Sequence, residues 1–264
     1  MIALQSAASR LALAASLCLL SSQAAQAREW VITVGANVGA TPPYEGADHD
    51  NISWSPTFSL HPAQQYHRFN PPGDGTTFGL IDTRYFQLGP MARFRKSRGT
   101  SGDLTGFDKV QWAAEPGGFV NVWLGDWVRV RAELRRGVHG HEGWVADGAV
   151  DLVYSSNRFD FSVGPRIGYG DATYNATYFG VTQVEADRSP YVNNAYDPGQ
   201  SRRYSGVMAG VAYHFDKHWK ADFSGGYQRI ADHLTRSPVI QVAGARDQYT
   251  AGVGLSYSFT VGHP

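Results

Sequence analysis

The chain has 264 residues, with 23 basic and 23 acidic side chains, so its charge balance gives no reason to expect a nucleic acid partner. Outside the first 27 residues no apolar run approaches the roughly 18 residues of a membrane helix, which excludes a helical membrane protein. Seven Trp, 14 Tyr, 13 Phe and 30 Gly, with few long aliphatic runs, favour strands over helices.

Residues 1–27 read as a cleaved secretory signal peptide. Arg10 precedes a short apolar core at 11–20, and Ala25-Gln26-Ala27 forms a cleavage site. The single cysteine, Cys18, lies inside that core, and Leu17 before it does not suit a lipoprotein signal. Residues 28–264 therefore form one domain that needs no disulfide, in a compartment that permits them.

Period-two alternation then recurs along the chain. It predicts strands near 29–40, 51–60, 66–70, 76–82, 85–97, 110–124, 126–138, 143–155, 157–169, 204–216, 218–230 and 248–261. In the last of these, Tyr249, Ala251, Val253, Leu255, Tyr257, Phe259 and Val261 alternate with small polar residues. Short turns at Gly125-Asp126, Ser156-Asn157 and Asp216-Lys217 alternate with long polar loops at 99–109, 137–143, 171–203 and 231–247. Trp30, Trp127 and Trp219 fall at the short-turn ends, as half of an aromatic girdle. The pattern predicts an all-β fold: a transmembrane antiparallel up-and-down β-barrel of about twelve strands, with ten as the rival count because the third and fourth are weak.

Read inward, the alternation collects Arg93, Arg95, Arg129, Arg131, Glu133, Arg135, Asp147, Asp151, Asp160, Arg166, Lys220 and Asp222. Each charge facing lipid would cost about 2–4 kcal/mol near the midplane, so their sorting to one face supports the barrel. They suit either a paired charge network filling a narrow lumen or a small channel with weak anion preference. The first is favoured because long side chains leave a small barrel little room. Pro165 lacks an N–H, so Gly164-Pro165-Arg166 predicts a bulge or a break in pairing. Arg166, facing Asp160, Glu133 or Asp151, is a candidate anchor for an internal plug closed above by Tyr178-Phe179-Gly180-Val181.

Several segments together resemble the MipA/OmpV family of outer-membrane proteins (MltA-interacting protein-like). They are Tyr44 and Gly46 in Pro43-Tyr44-Glu45-Gly46-Ala47, Gly89-Pro90 followed by Arg93, and Glu133-Leu134 with Gly140-His141-Glu142-Gly143 and Asp147. Gly164-Pro165-Arg166, Gly170-Asp171, Tyr174, Tyr178-Phe179-Gly180-Val181 and Ser237-Pro238-Val239 complete the set. The end, with Gly254, Tyr257 and Phe259, resembles the assembly signal of a last barrel strand, although Thr260–Pro264 follow where an aromatic often ends such chains. The resemblance implies a Gram-negative outer-membrane location. It implies contact with outer-membrane lipid and lipopolysaccharide, and with the barrel-assembly machinery during biogenesis. For some members it implies a scaffold role with a periplasmic murein hydrolase or synthase, and members are also discussed as porin-like or antigenic surface proteins.

Residues that could carry chemistry are few. His139 and His141 share a face near Glu142, Asp147 and His233, which would suit Zn²⁺ or Cu²⁺ only if a third ligand converged. Hydrated or packed rim histidines are the plainer reading. Ser97, His139 and Asp147 lack any nucleophile motif, and Asp103, Asp108 and Asp171 lack a calcium-loop pattern. The expectation is therefore no catalytic residue, no metal and no cofactor. A non-enzymatic structural or scaffold barrel leads, a porin-like small-solute channel is the alternative, and an outer-membrane enzyme comes last.

Overall fold

The computed structural model describes residues 29–63 and 69–262. The segment expected to be a signal peptide, residues 1–27, lies outside them. The strands are β1 (Trp30–Thr41), β2 (Asn51–Pro62), β3 (Thr76–Thr77), β4 (Ile81–Asp82), β5 (Phe86–Arg95), β6 (Ala113–Leu124), β7 (Val128–Arg136), β8 (Trp144–Ser155), β9 (Phe159–Gly170), β10 (Ser201–His214), β11 (Trp219–Ile230) and β12 (Asp247–Val261). They form one curled antiparallel sheet in the order β2-β1-β12-β11-β10-β9-β8-β7-β6-β5-β3, with β4 also on β5. First and last strands thus pair, as in a barrel, with Val38 opposite Val253. Among the described residues no ladder joins β2 to β3, β4 or β5.

Among the described residues twelve strands are present, but ten are long and two contain only two residues. The expected strand at 66–70 is not formed at Phe69 and Asn70, and its other residues lie outside the described ones. The expected strand at 76–82 divides into β3 and β4. Opposite the division stands Pro90, which accepts from Phe78 N at 3.0 Å but has no N–H to return. Gly89 lets the two backbones approach, since a Cβ there would lie 1.8 Å from the Phe78 carbonyl oxygen.

Side-chain alternation sorts the two faces. Val38, Phe161, Val163, Ile167, Phe223, Val253 and Leu255 point outward and are exposed, while Arg129, Arg131, Arg135, Asp151 and Ser162 point inward and are buried. An apolar exterior around a charged interior suits lipid outside and not water. Trp127 and Trp219 are exposed at the short-turn end, and Trp112 and Trp144 are exposed at the other.

The long loops differ from the expected irregular chain. Residues 171–200 carry α1 (Ala172–Phe179) and α2 (Gln183–Arg188), and the following residues already belong to β10. The loop after β11 carries α3 (Pro238–Ala243). Local signals explain the helices. Asp171 accepts from Tyr174 N at the start of α1, Thr182 and Glu185 form a capping box on α2, and Ser237 caps α3 with Pro238 in its first turn. Two apolar clusters knit the loops together. One contains Val110, Tyr174, Tyr178, Phe179, Leu234 and Ile240, and the other Leu104, Phe107, Val181, Ala186, Val192 and Val239. The mouth at this end is roofed by a folded cap.

Both described termini lie at the short-turn end, where Trp30 stands opposite Val261. For an outer-membrane barrel that end faces the periplasm, and the cap faces outside. A cysteine at exposed Val184 on α2 is expected to take a membrane-impermeant label on intact cells. A cysteine at Lys217 is expected to need a permeabilised outer membrane. The opposite labelling pattern would reverse the orientation.

Candidate functional site

Among the described residues, most of the buried charge lies in the barrel interior. Next to the cap, Glu115 on β6 pairs with Arg95 and with Arg135, the latter at 3.0 Å. Arg135 also pairs with Glu133 and Asp147. Arg203 holds Asp147 and Glu45 at 2.6 Å each, and Tyr204 donates to Asp147 at 2.8 Å. Deeper in the barrel, Arg129 pairs with Asp151 at 2.7 Å and grips Asp74 with two bonds of 2.6 and 3.2 Å. Arg131 pairs with Glu133 at 2.7 Å, and Arg93 with Glu133 at 3.1 Å. Such groups are tolerable in a desolvated interior because each charge meets a partner in good hydrogen-bonding geometry.

Arg93, Arg129, Arg131, Glu133, Asp151 and Arg166 therefore belong to one linked network. Asp160, Lys220 and Asp222 share the inner wall but lie outside it. Asp160 is 2.7 Å from His214 Nε2, and Lys220 is half-buried near the short-turn end. Arg166 reaches Asp151 at 2.7 Å, not Asp160 or Glu133, and otherwise donates to the Gly164 and Pro165 carbonyls of its own strand. Register is unchanged across Pro165, but the β8 pairing lapses between the Ala149–Arg166 and Leu152–Val163 pairs. Gly164 and Gly168 leave no free space over the inner wall. A Cβ at Gly164 would lie 1.8 Å from the Val150 oxygen, and one at Gly168 would lie 2.3 Å from the Tyr204 ring.

The anchored insert differs from the expected one. Residues 69–75 enter the lumen after β2. Asp74 is held by Arg129, the Gly73 carbonyl accepts from Arg93 at 2.8 Å, and Pro72 rests on the inner face of Gly210. Tyr178 and Phe179 are not a separate plug but part of the packed cap. Beside the insert a cavity of about 410 Å³ remains, lined by Arg93, Arg131, Arg166, Asp222, Gln228 and Asn37 among others.

The motif residues mostly fasten the cap to the barrel. Tyr44 donates to the Ala243 carbonyl at 2.9 Å, and Gly46 N donates to Gln248 at 2.9 Å. Gly46 has φ +97°, and a Cβ there would strike Ile240, so a glycine is required. Asp171 caps α1 and also accepts from Trp144 N at 2.8 Å. Gly170 packs against Tyr174 and Asn175, Gly180 ends α1, and Ser237, ahead of Pro238, donates to the Phe179 carbonyl. Burial pushes the Tyr174 hydroxyl well above its ordinary range and that of Tyr178 up to about 12. Tyr174 therefore stays protonated and donates to Glu45 at 2.7 Å.

The two rim histidines do not converge. His141 is buried, 3.0 Å from Glu115 and edge-on to Tyr174, whereas His139 packs on Trp112 with φ +62°. Among the described residues no group of three metal-ligating side chains is assembled. Asp147 is occupied by Arg135, Arg203 and Tyr204 and serves no triad. Sequence reading missed Glu45, Asp74, Glu115 and Arg203, of which Arg203 and Glu115 are fully enclosed.

Residues 34–259 match a family described as MltA-interacting protein MipA. The chain is 30% identical over 112 residues to the outer membrane protein Omp26La of Vibrio anguillarum, a stretch covering 42% of this chain and 37% of that relative. Among solved structures it is similar to the NanC porin, at 9% identity with TM-score 0.40, covering 86% of this chain and 98% of that one. It is also similar to the outer membrane protease OmpT of Escherichia coli, at 11% identity with TM-score 0.31, covering 89% and 97%. With the family match spanning nearly all of the described barrel, the chain belongs to the MipA family of outer-membrane β-barrel proteins.

Proposed function

We propose that the protein is a non-enzymatic structural barrel that holds a periplasmic murein-remodelling enzyme at the outer membrane. The observation that carries this reading is the obstructed interior. An insert pinned by Arg129 and Arg93 crosses the lumen, and a cap packed by two apolar clusters roofs it. Such a barrel is built to persist rather than to pass solute. The family description, an MltA-interacting protein, supplies the class of partner. The surface available to a periplasmic enzyme is the short-turn end, with Arg84 bonded to Asp126 at 2.9 Å and Asp216 capping the turn before Trp219.

Photocrosslinkers at Asp126, Asn157 and Lys217 are expected to capture an MltA-type murein enzyme in cells, and one at Val184 in the cap is not. Capture from the cap alone, or none from the turns, would overturn the reading. A second reading, a small-solute channel, is favoured by the lumen cavity. Conductance of the unmodified barrel in planar bilayers separates the two.

A further inference from the structure

Several exposed arginines hold a carboxylate: Arg84, Arg188 and Arg246 each pair with an aspartate. Arg136 and Arg202 do not. Both are exposed, and neither forms an ion pair among the described residues. Both stand on the outer face, at the cap-side ends of their strands. Arg136 ends β7, whose inward positions are Arg131, Glu133 and Arg135, so its own side chain points the other way. It lies opposite Trp144 on β8, with the guanidinium carbon 5.8 Å from the ring centroid. Arg202 stands near the start of β10, opposite the exposed, outward Tyr169 of β9. Outward aromatic rings at a strand end mark the membrane–water boundary, and arginine beside them keeps its charge at head-group level.

Between the two basic–aromatic pairs the wall is hollow. Along β8 the outward positions after Trp144 are Ala146 and Gly148. Ala146 lies between Leu134 and Tyr169, and Gly148 between Ala132 and Ile167. Ile167 leans over Gly148, where an added Cβ would lie 3.1 Å from its Cγ2. A shallow apolar furrow, floored by Ala132, Ala146 and Gly148, thus runs from the rim toward the middle of the membrane band. From β7 to β10 is three strand spacings of about 4.8 Å, so the two guanidinium groups flank a head group of sugar size rather than one small ion.

This pattern specifies its occupant. A guanidinium fork binds phosphate in a bidentate way and stays charged at any physiological pH. Two forks at one membrane level, above a furrow for an acyl chain, suit a lipid that carries two phosphates. The cap faces outside, so the leaflet at this level is the one that holds lipopolysaccharide. Asp171, beside the patch, is already occupied by the Trp144 and Tyr174 amides.

We propose that Arg136, Trp144, Tyr169 and Arg202 form a binding site for the lipid A head group of lipopolysaccharide, with one phosphate on each arginine and an acyl chain in the furrow. The site lies on the outer wall and needs neither conduction nor a periplasmic partner.

The test adds lipid to the folded barrel in non-ionic detergent and counts bound molecules by native mass spectrometry. The probes are lipid A with two phosphates, its monophosphoryl form and phosphatidylglycerol. A chelator is present throughout, so that no divalent cation shared with the exposed Glu142 contributes. The bisphosphoryl form is expected to bind about tenfold more tightly than the monophosphoryl one, a difference of about 1.4 kcal/mol. Arg136→Gln and Arg202→Gln are each expected to erase that margin. Arg158→Gln, exposed at the short-turn end, is expected to keep it. Ala146→Trp fills the furrow and is expected to weaken both forms about tenfold. Heat-modifiable migration reports that each variant is folded. The proposal is overturned if the margin survives in both arginine variants, or if phosphatidylglycerol binds as tightly as bisphosphoryl lipid A. Should an arginine variant not fold, unchanged binding in Ala146→Trp overturns it alone.

Discussion

Replacing residues 71–74 by a Gly-Ser stretch of equal length is expected to convert a silent barrel into a conducting one. The segment in the lumen has few attachments, among them an ion pair of Asp74 with Arg131 at 3.5 Å. Asp74 accepts two bonds from Arg129, Gly73 accepts one from Arg93, and Pro72 fills the hollow over Gly210. Removing them frees the insert without touching a ladder between long strands, so the barrel itself should persist. Gly210→Ser is a gentler version of the same change. A Cβ there would lie 2.6 Å from Pro72 Cδ, so the proline must move aside. Single-channel recordings should show no steps for the unmodified protein, frequent steps for the replacement and occasional ones for Gly210→Ser. Arg129→Ala should be much more damaging to stability, by about 3–5 kcal/mol, because it leaves Asp151 and Asp74 short of their buried counter-charge. Silence in both the replacement and Gly210→Ser would mean that the network and the cap, not the insert, close the barrel.

Val253→Arg is expected to abolish barrel assembly. Val253 points outward at half exposure, bracketed along β12 by the exposed Tyr249 on one side and Tyr257 on the other, which places it in the middle of the apolar band. An arginine at that depth costs about 2–4 kcal/mol. It also strikes the strand that pairs with both β1 and β11, so the penalty falls on two ladders. The readout is heat-modifiable migration after folding into lipid vesicles. Ser224→Thr, on the lumen side of the neighbouring strand, is the control and should assemble normally. Equal assembly of the two would show that inner and outer faces had been exchanged by a one-residue slip.

Most of the barrel wall is legible in the sequence because the side-chain period of a strand is two. Val253 and Leu255 announce an outer face, and Arg129, Arg131, Glu133 and Arg135 an inner one, without any tertiary information. What hides is whatever breaks that period. Arg203 sits in a register shift between Arg202 and Tyr204, so alternation counted back from the body of the strand puts it on the outer face, yet it is among the most enclosed charges among the described residues. Asp74 follows Pro71-Pro72-Gly73, a string that reads as a surface turn. Nothing local says that this turn is folded into the lumen, because the partner that draws it there, Arg129, is distant in sequence. Glu45 is hidden for the same reason. The cap helices are short, and only their capping residues, Asp171, Thr182 with Glu185, and Ser237, betray them. The motif residues were readable as a set, but their shared task of fastening the cap emerges only when Tyr44 is seen on Ala243 and Ser237 on Phe179.

The junction between the two ends of the chain also governs the timing of assembly. Gly46 and Gln248, 202 residues apart, are joined in the cap, and Ala47 bridges to Gly244 directly above the pairing of β1 with β12. Contacts this distant in sequence form late, since the loop they close carries its entropic cost before any return. The roof therefore cannot be finished on an open sheet. It is completed only when the first and last strands meet, so the roof forms together with the β1–β12 ladder in a late step of folding.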